Sequence, residues 1–142
     1  LSVRGTGVSV ADISIEIKGL DRVLRGFQGL PGAFQKAVRE GMGKALWLVG
    51  SEAKMRAPVD TGRLRASIGV KTQQGIYEVK PIGAEIVGRI GSSVVYALPQ
   101  EVGWTTRSGR HIPGRHYLEG ALKAKANAVV RLFERIIDKV IR

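Results

Sequence analysis

The chain has no cysteine, which removes a disulfide framework, a thiolate zinc site and a cysteine nucleophile together. Aromatic residues make up only 6% of it, too few for a single-strand binder that stacks bases on successive rings. No apolar run approaches the roughly 20 residues that cross a bilayer. The opening Leu1-Ser2-Val3-Arg4-Gly5-Thr6-Gly7 lacks a secretory core. The expectation is a soluble, cytoplasmic protein with no membrane partner. Acidic residues are scarce as well: 12 Asp and Glu stand against 23 Lys and Arg, a formal charge of +11. Such an excess draws polyanions, of which nucleic acid is the commonest. The basic residues form no single dense run, so part of the excess reads as ordinary solvated surface.

What is present fits one domain of 142 residues, long enough to bury a core unaided. Residues 1–12 read as a flexible arm. Ile13, Ile15 and Ile17 alternate with Ser14, Glu16 and Lys18, the period of a strand with one buried face. Asp21 is placed to cap a short helix to about Phe27. From Ala33 to about Arg56, Phe34, Val38, Met42, Ala45, Leu46, Val49 and Ala53 recur at helical spacing. Gly41, Gly43 and Gly50 weaken that helix by up to about 1 kcal/mol each, so it depends on packing, and the glycines mark close approach. Pro58 ends it.

Four β-leaning segments follow, 66–71, 76–80, 84–90 and 94–97, separated by Gly- and Pro-containing turns. Residues 98–117 read as a long polar loop, the kind of segment that is functional or mobile in a compact domain. From Tyr117 a broad apolar stripe, Leu122 to Ile141, marks a second long helix. The expected fold is α+β: an antiparallel meander sheet packed by a long central helix and a long C-terminal helix.

Two constellations invite a catalytic reading. Asp60-Thr61-Gly62 is the triplet of aspartic-protease loops, with Ile86-Val87-Gly88-Arg89 resembling the element that braces it in the retroviral type. The triplet follows a helix and Pro58 instead of a strand, and Arg63 stands where a small residue is usual. Turn capping by Asp60 and Thr61, with Gly62 relieving the sterics, accounts for the same residues. His111 and His116 flank a Pro-Gly turn near Glu101, but a metal needs three or four converging ligands. The reading is of a chain without catalytic, cofactor or metal residues.

An ordered set of motifs carries more. It runs Ala57-Pro58-Val59-Asp60-Thr61-Gly62-Arg63-Leu64-Arg65-Ala66-Ser67-Ile68, Gly91-Ser92-Ser93-Val94-Val95-Tyr96-Ala97, Glu101-Val102-Gly103 and Gly114-Arg115-His116-Tyr117-Leu118. In order and spacing it resembles the HK97-type tail-component, or neck and tail-completion, proteins of tailed bacteriophages. Gly103-Trp104 and His116-Tyr117 depart from the Gly-Thr and Pro-Phe pairs common there. The resemblance implies a non-catalytic virion subunit at the head-tail connection, assembled in the host cytoplasm. It would form a homo-oligomeric ring, a hexamer being favoured, around the DNA channel beside other neck and tail proteins. Pro58, Asp60, Thr61, Gly62, Leu64, Tyr96, Glu101, Gly103, Tyr117 and Leu118 are then structural motif positions. Trp104, Arg107, Arg110, His111 and Arg115 are candidates to face DNA, through charge alone, or a neighbouring subunit. The alternatives are a sequence-nonspecific basic nucleic-acid-binding module and, against the arguments above, the aspartic protease.

Overall fold

The structure is a computed structural model that describes residues 11–17, 31–58, 62–69, 74–82 and 85–141. The isoleucine alternation forms β1 (Ala11–Ile17), which begins inside the 1–12 stretch read as an arm. Residues 1–10 and the helix expected over 21–27 lie outside the described residues. The central helix is α1 (Pro31–Arg56), and the chain next makes a single short helix, α2 (Arg63–Ser67). This corrects the strand expected over 66–71. Leu64 and Ile68 are both buried four residues apart, a helical spacing, and Leu, Arg and Ala all favour that conformation.

The strands β2 (Gly75–Ile82) and β3 (Glu85–Ser92) form an antiparallel hairpin, with β1 added on the far side of β3. Ile13 pairs with Ile90 on one side of that central strand, and Tyr77 on the other. The segment 94–97 is likewise not a strand: it turns into α3 (Ala97–Val102). Pro99 sits in the first turn of that helix, where its missing N–H costs nothing. The stretch 98–117 is therefore no open loop. It holds most of α3 and a second, two-stranded sheet made by β4 (Gly103–Thr105) and β5 (His111–Pro113). The last element is α4 (Tyr117–Ile141). The class is α+β with the two long helices packed together, as expected, but two small antiparallel sheets replace the single meander. No helix among the described residues is long and apolar enough to cross a membrane.

The core lies where α1 meets α4 and β3. Met42, Ala45, Leu46, Val49 and Ala53 from α1 are fully buried with Leu118, Ala121 and Val129 of α4, while Ile90 is almost so. The glycines have the packing role their cost requires. A Cβ at Gly41 would collide with Ile136 and press on Phe133 of α4, so the side chains of α4 pack directly on the backbone of α1 there. Gly50 lies under Ile90, and Gly88 of β3 lies under Met42 and Leu46. That contact accounts for the small residue in Ile86-Val87-Gly88-Arg89 without reference to a protease.

Two serines tie α2 to the sheet. The Ser67 hydroxyl lies 2.8 Å from the Leu64 carbonyl and 2.6 Å from the Ser92 hydroxyl, which also lies 3.4 Å from the Gln74 carbonyl. Ser92 in turn accepts the Val94 N–H at 3.1 Å. Both serines are buried, and each oxygen in the chain is satisfied by the next. Ser92→Ala strands the Val94 N–H and should lower the unfolding free energy by about 1–2 kcal/mol. In urea denaturation, a double-mutant cycle with Ser67→Ala should return about 1 kcal/mol of coupling; strictly additive losses would show that the chain is not a unit.

Candidate functional site

The motif residues of the last third meet at one junction. α3 ends and α4 begins there, and each end supplies what the other lacks. A helix leaves its first N–H groups and last carbonyls without intrahelical partners. At the start of α4 the Leu118 and Glu119 N–H groups donate to the two carboxylate oxygens of Glu101, at 2.9 and 3.0 Å. At the end of α3 the carbonyls of Gln100 and Glu101 accept the N–H groups of Arg115 and His116, at 2.8 and 3.1 Å. Glu101 is only 4% exposed. A buried carboxylate is tolerable here because both oxygens accept hydrogen bonds at the positive end of a helix.

Tyr117 locks the junction from beneath. It is fully buried, and its hydroxyl donates to the Ala97 carbonyl at 2.8 Å, joining the first residue of α4 to the first of α3. Burial raises its pKa well above the ordinary tyrosine value, and the negative charge of Glu101 raises it further. The neutral phenol is thus the folded form, whereas the unfolded chain ionises near pH 10. Stability from this group is complete below that pH and falls as pH rises towards the folded value. Tyr117→Phe should cost about 1 kcal/mol at neutral pH, by removing this buried hydrogen bond, and should flatten the alkaline limb of a stability profile measured by urea denaturation.

Between the two ends of the junction the chain runs out and back as the β4–β5 hairpin. Thr106 and Arg110 close its tip: the Thr106 N–H donates to the Arg110 carbonyl at 2.9 Å, and the Arg110 N–H to the Thr106 hydroxyl at 3.1 Å. At its base Gly103, with φ 92, lies against Gly114, and neither position has room for a side chain. Arg107, Arg110, His111 and Arg115 are all exposed, and Trp104 is 39% exposed. From Val102 to Leu118 there is no carboxylate, and among the described residues none of these three arginines makes an ion pair. The result is an outward-pointing ribbon of uniformly positive charge on a rigid base.

The remaining predicted positions divide. Pro58 follows α1, Gly62 adopts φ 77 just ahead of α2, Leu64 is buried, and Tyr96 precedes α3 and packs on the core. Asp60 and Thr61 lie outside the described residues. Glu101 and His116 come together, joined by Glu119, with ligand atoms within 4.8 Å of one another; His111 is not part of that group. Its geometry is accounted for without an ion. Glu101 caps α4, and Glu119 is paired with Lys123 at 3.0 Å, the bond that chiefly lowers its pKa, and lies 3.4 Å from His116. Sequence reasoning passed over the Ser67–Ser92 pair and Gly114, although all three residues stood within the quoted motifs.

Neither a curated protein nor a solved structure matches the chain. A family model does, that of "Bacteriophage HK97-gp10, putative tail-component", over residues 21–103. The match runs through α1, the β2–β3 hairpin and α3 and stops at Gly103, where the basic hairpin begins. It spans more than half of the 142 residues, and the chain therefore belongs to the HK97-gp10-like family of bacteriophage tail components.

Proposed function

We propose that this chain is a single-domain, non-catalytic subunit of the phage neck or tail, a head-tail connection or tail-completion protein that forms a homo-oligomeric ring around the DNA channel. Family membership supports a structural role among phage tail proteins. The observation that carries the finer reading is the β4–β5 hairpin, which is exposed, free of carboxylates and fixed to the core at both ends. A rigid arm on one face of a subunit suits a head-to-tail contact, the kind that closes into a ring. Its Arg107, Arg110 and Arg115, with His111, suit phosphate contacts that carry no sequence information. Trp104 supplies the one large apolar surface on the arm, suited to a neighbouring subunit. In the virion the subunit would sit at the neck or tail, after assembly in the host cytoplasm.

Light scattering and electron microscopy of the purified protein test this directly. A ring, with six subunits favoured, is the expected result. Duplex DNA of two unrelated sequences should bind alike, with log K falling against log salt by about 3 per subunit if all three arginines reach phosphates. A strict monomer that binds DNA in the same manner would favour the runner-up reading, a basic nucleic-acid-binding module.

A further inference from the structure

A second surface, apart from the hairpin, lies along the outer side of α1 where it faces β2. Leu46, Trp47, Ile68, Tyr77 and Ile90 line a groove of about 210 Å³. It continues past Gly43 and Tyr77 to Arg39 and Val79. Gly43 and Gly50 of α1 lie in its wall, where a Cβ would press on the Tyr77 hydroxyl and collide with Ile90. Trp47 stands at its rim with 69% of its surface exposed, an unusual place for a large ring unless something covers it.

The charges around the groove identify what does. Arg39 and Lys54 line it from α1, and neither makes an ion pair among the described residues. The carboxylate in the lining, Glu78, pairs with Arg89 at 3.3 Å. A second copy of this chain, at +11, is a poor occupant for a cationic rim. Its most prominent arm, the hairpin, has no carboxylate to offer. Nucleic acid would answer the charge but has no use for an apolar floor.

We propose that the α1–β2 groove is a docking site for an extended acidic segment of a different virion protein, one with apolar side chains that enter the groove between carboxylates that meet its rim. From Arg39 to Lys54 the helix rises about 22 Å, enough for about seven residues of extended chain. The test uses a fluorescein-labelled peptide of that length with alternating Glu and Leu, and a matching Lys–Leu peptide, titrated by fluorescence anisotropy. The Glu–Leu peptide should bind saturably and the Lys–Leu peptide should not. Trp47→Ala and Lys54→Glu should each weaken binding about tenfold or more, while Arg107→Ala leaves it unchanged. Trp47 is mostly exposed, so its variant should keep the wild-type circular dichroism.

Failure of the Glu–Leu peptide to bind, or equal binding by both peptides, overturns the proposal. Displacement of bound peptide by duplex DNA would make the groove a phosphate surface. Loss of self-association in Trp47→Ala would make it a contact between copies. Because ring size is read by light scattering on the same samples, failure of the docking site is distinguishable from failure of the ring.

Discussion

Glu101→Ala should lower the unfolding free energy by about 3 kcal/mol, as two charge-assisted hydrogen bonds at the start of α4 are lost together. The two N–H groups it serves are held by the helix and cannot turn to another acceptor. Leu118, one of the two residues, is fully buried, so water does not readily replace the carboxylate. Glu101→Gln keeps one carbonyl oxygen but turns an NH2 group towards the second N–H, and about half of the loss should remain. Urea denaturation followed by circular dichroism separates the three proteins. If Glu101→Ala lay within about 0.5 kcal/mol of wild type, the carboxylate would not be capping α4 in solution.

Gly103→Val should release the hairpin while sparing the core. A side chain here meets two obstacles at once. The backbone is at φ 92, where β-branched residues are strained, and a Cβ would stand 2.5 Å from the Ile112 oxygen and 2.7 Å from the Gly114 nitrogen. Those neighbours are backbone atoms of the paired strand and cannot rotate away. The combined cost is about 3 kcal/mol. It is met most cheaply by opening β4 from β5, because that pair joins no larger sheet among the described residues. Tryptic cleavage after Arg107 or Arg110 should then accelerate by about a hundredfold, with the far-ultraviolet spectrum nearly unchanged and assembly lost. Full-size rings from this variant would remove the hairpin from the interface, and global unfolding would show that the hairpin is part of the core.

The parts of this fold that could be read from the sequence are those with enough turns or alternations to display a period. α1 and α4 carry apolar residues at helical spacing over many turns, and the alternating isoleucines of β1 point to a strand. The failures are all short. Ala66-Ser67-Ile68 looks like part of a strand until Leu64 and Ile68 are seen to share a buried face. In 94–97 Val94 is buried while Val95 is 89% exposed, which mimics strand alternation although the chain is turning into α3. Pro99 was the available signal for that helix, as a residue that suits a first turn. β4 and β5 are three residues each, too short for any period, and only Gly109 hinted at a turn between them. The role of Glu101 had no local signal, because the groups it caps belong to a helix that starts sixteen positions later and approach it only through the tertiary fold.

The junction also has a mechanical meaning. Arg115 and His116 are bonded to the end of α3 through their backbone N–H groups, and the next residue, Tyr117, is already the first of α4. No free joint separates the arm from the helix. α4 has 25 residues and so extends about 37 Å, packed along α1 for much of that length. A load applied at the hairpin tip is therefore carried by a long, packed helix instead of being absorbed by a pliable tether. In the ring proposed above, such stiffness would pass strain arriving at one subunit through its frame and not lose it in a hinge.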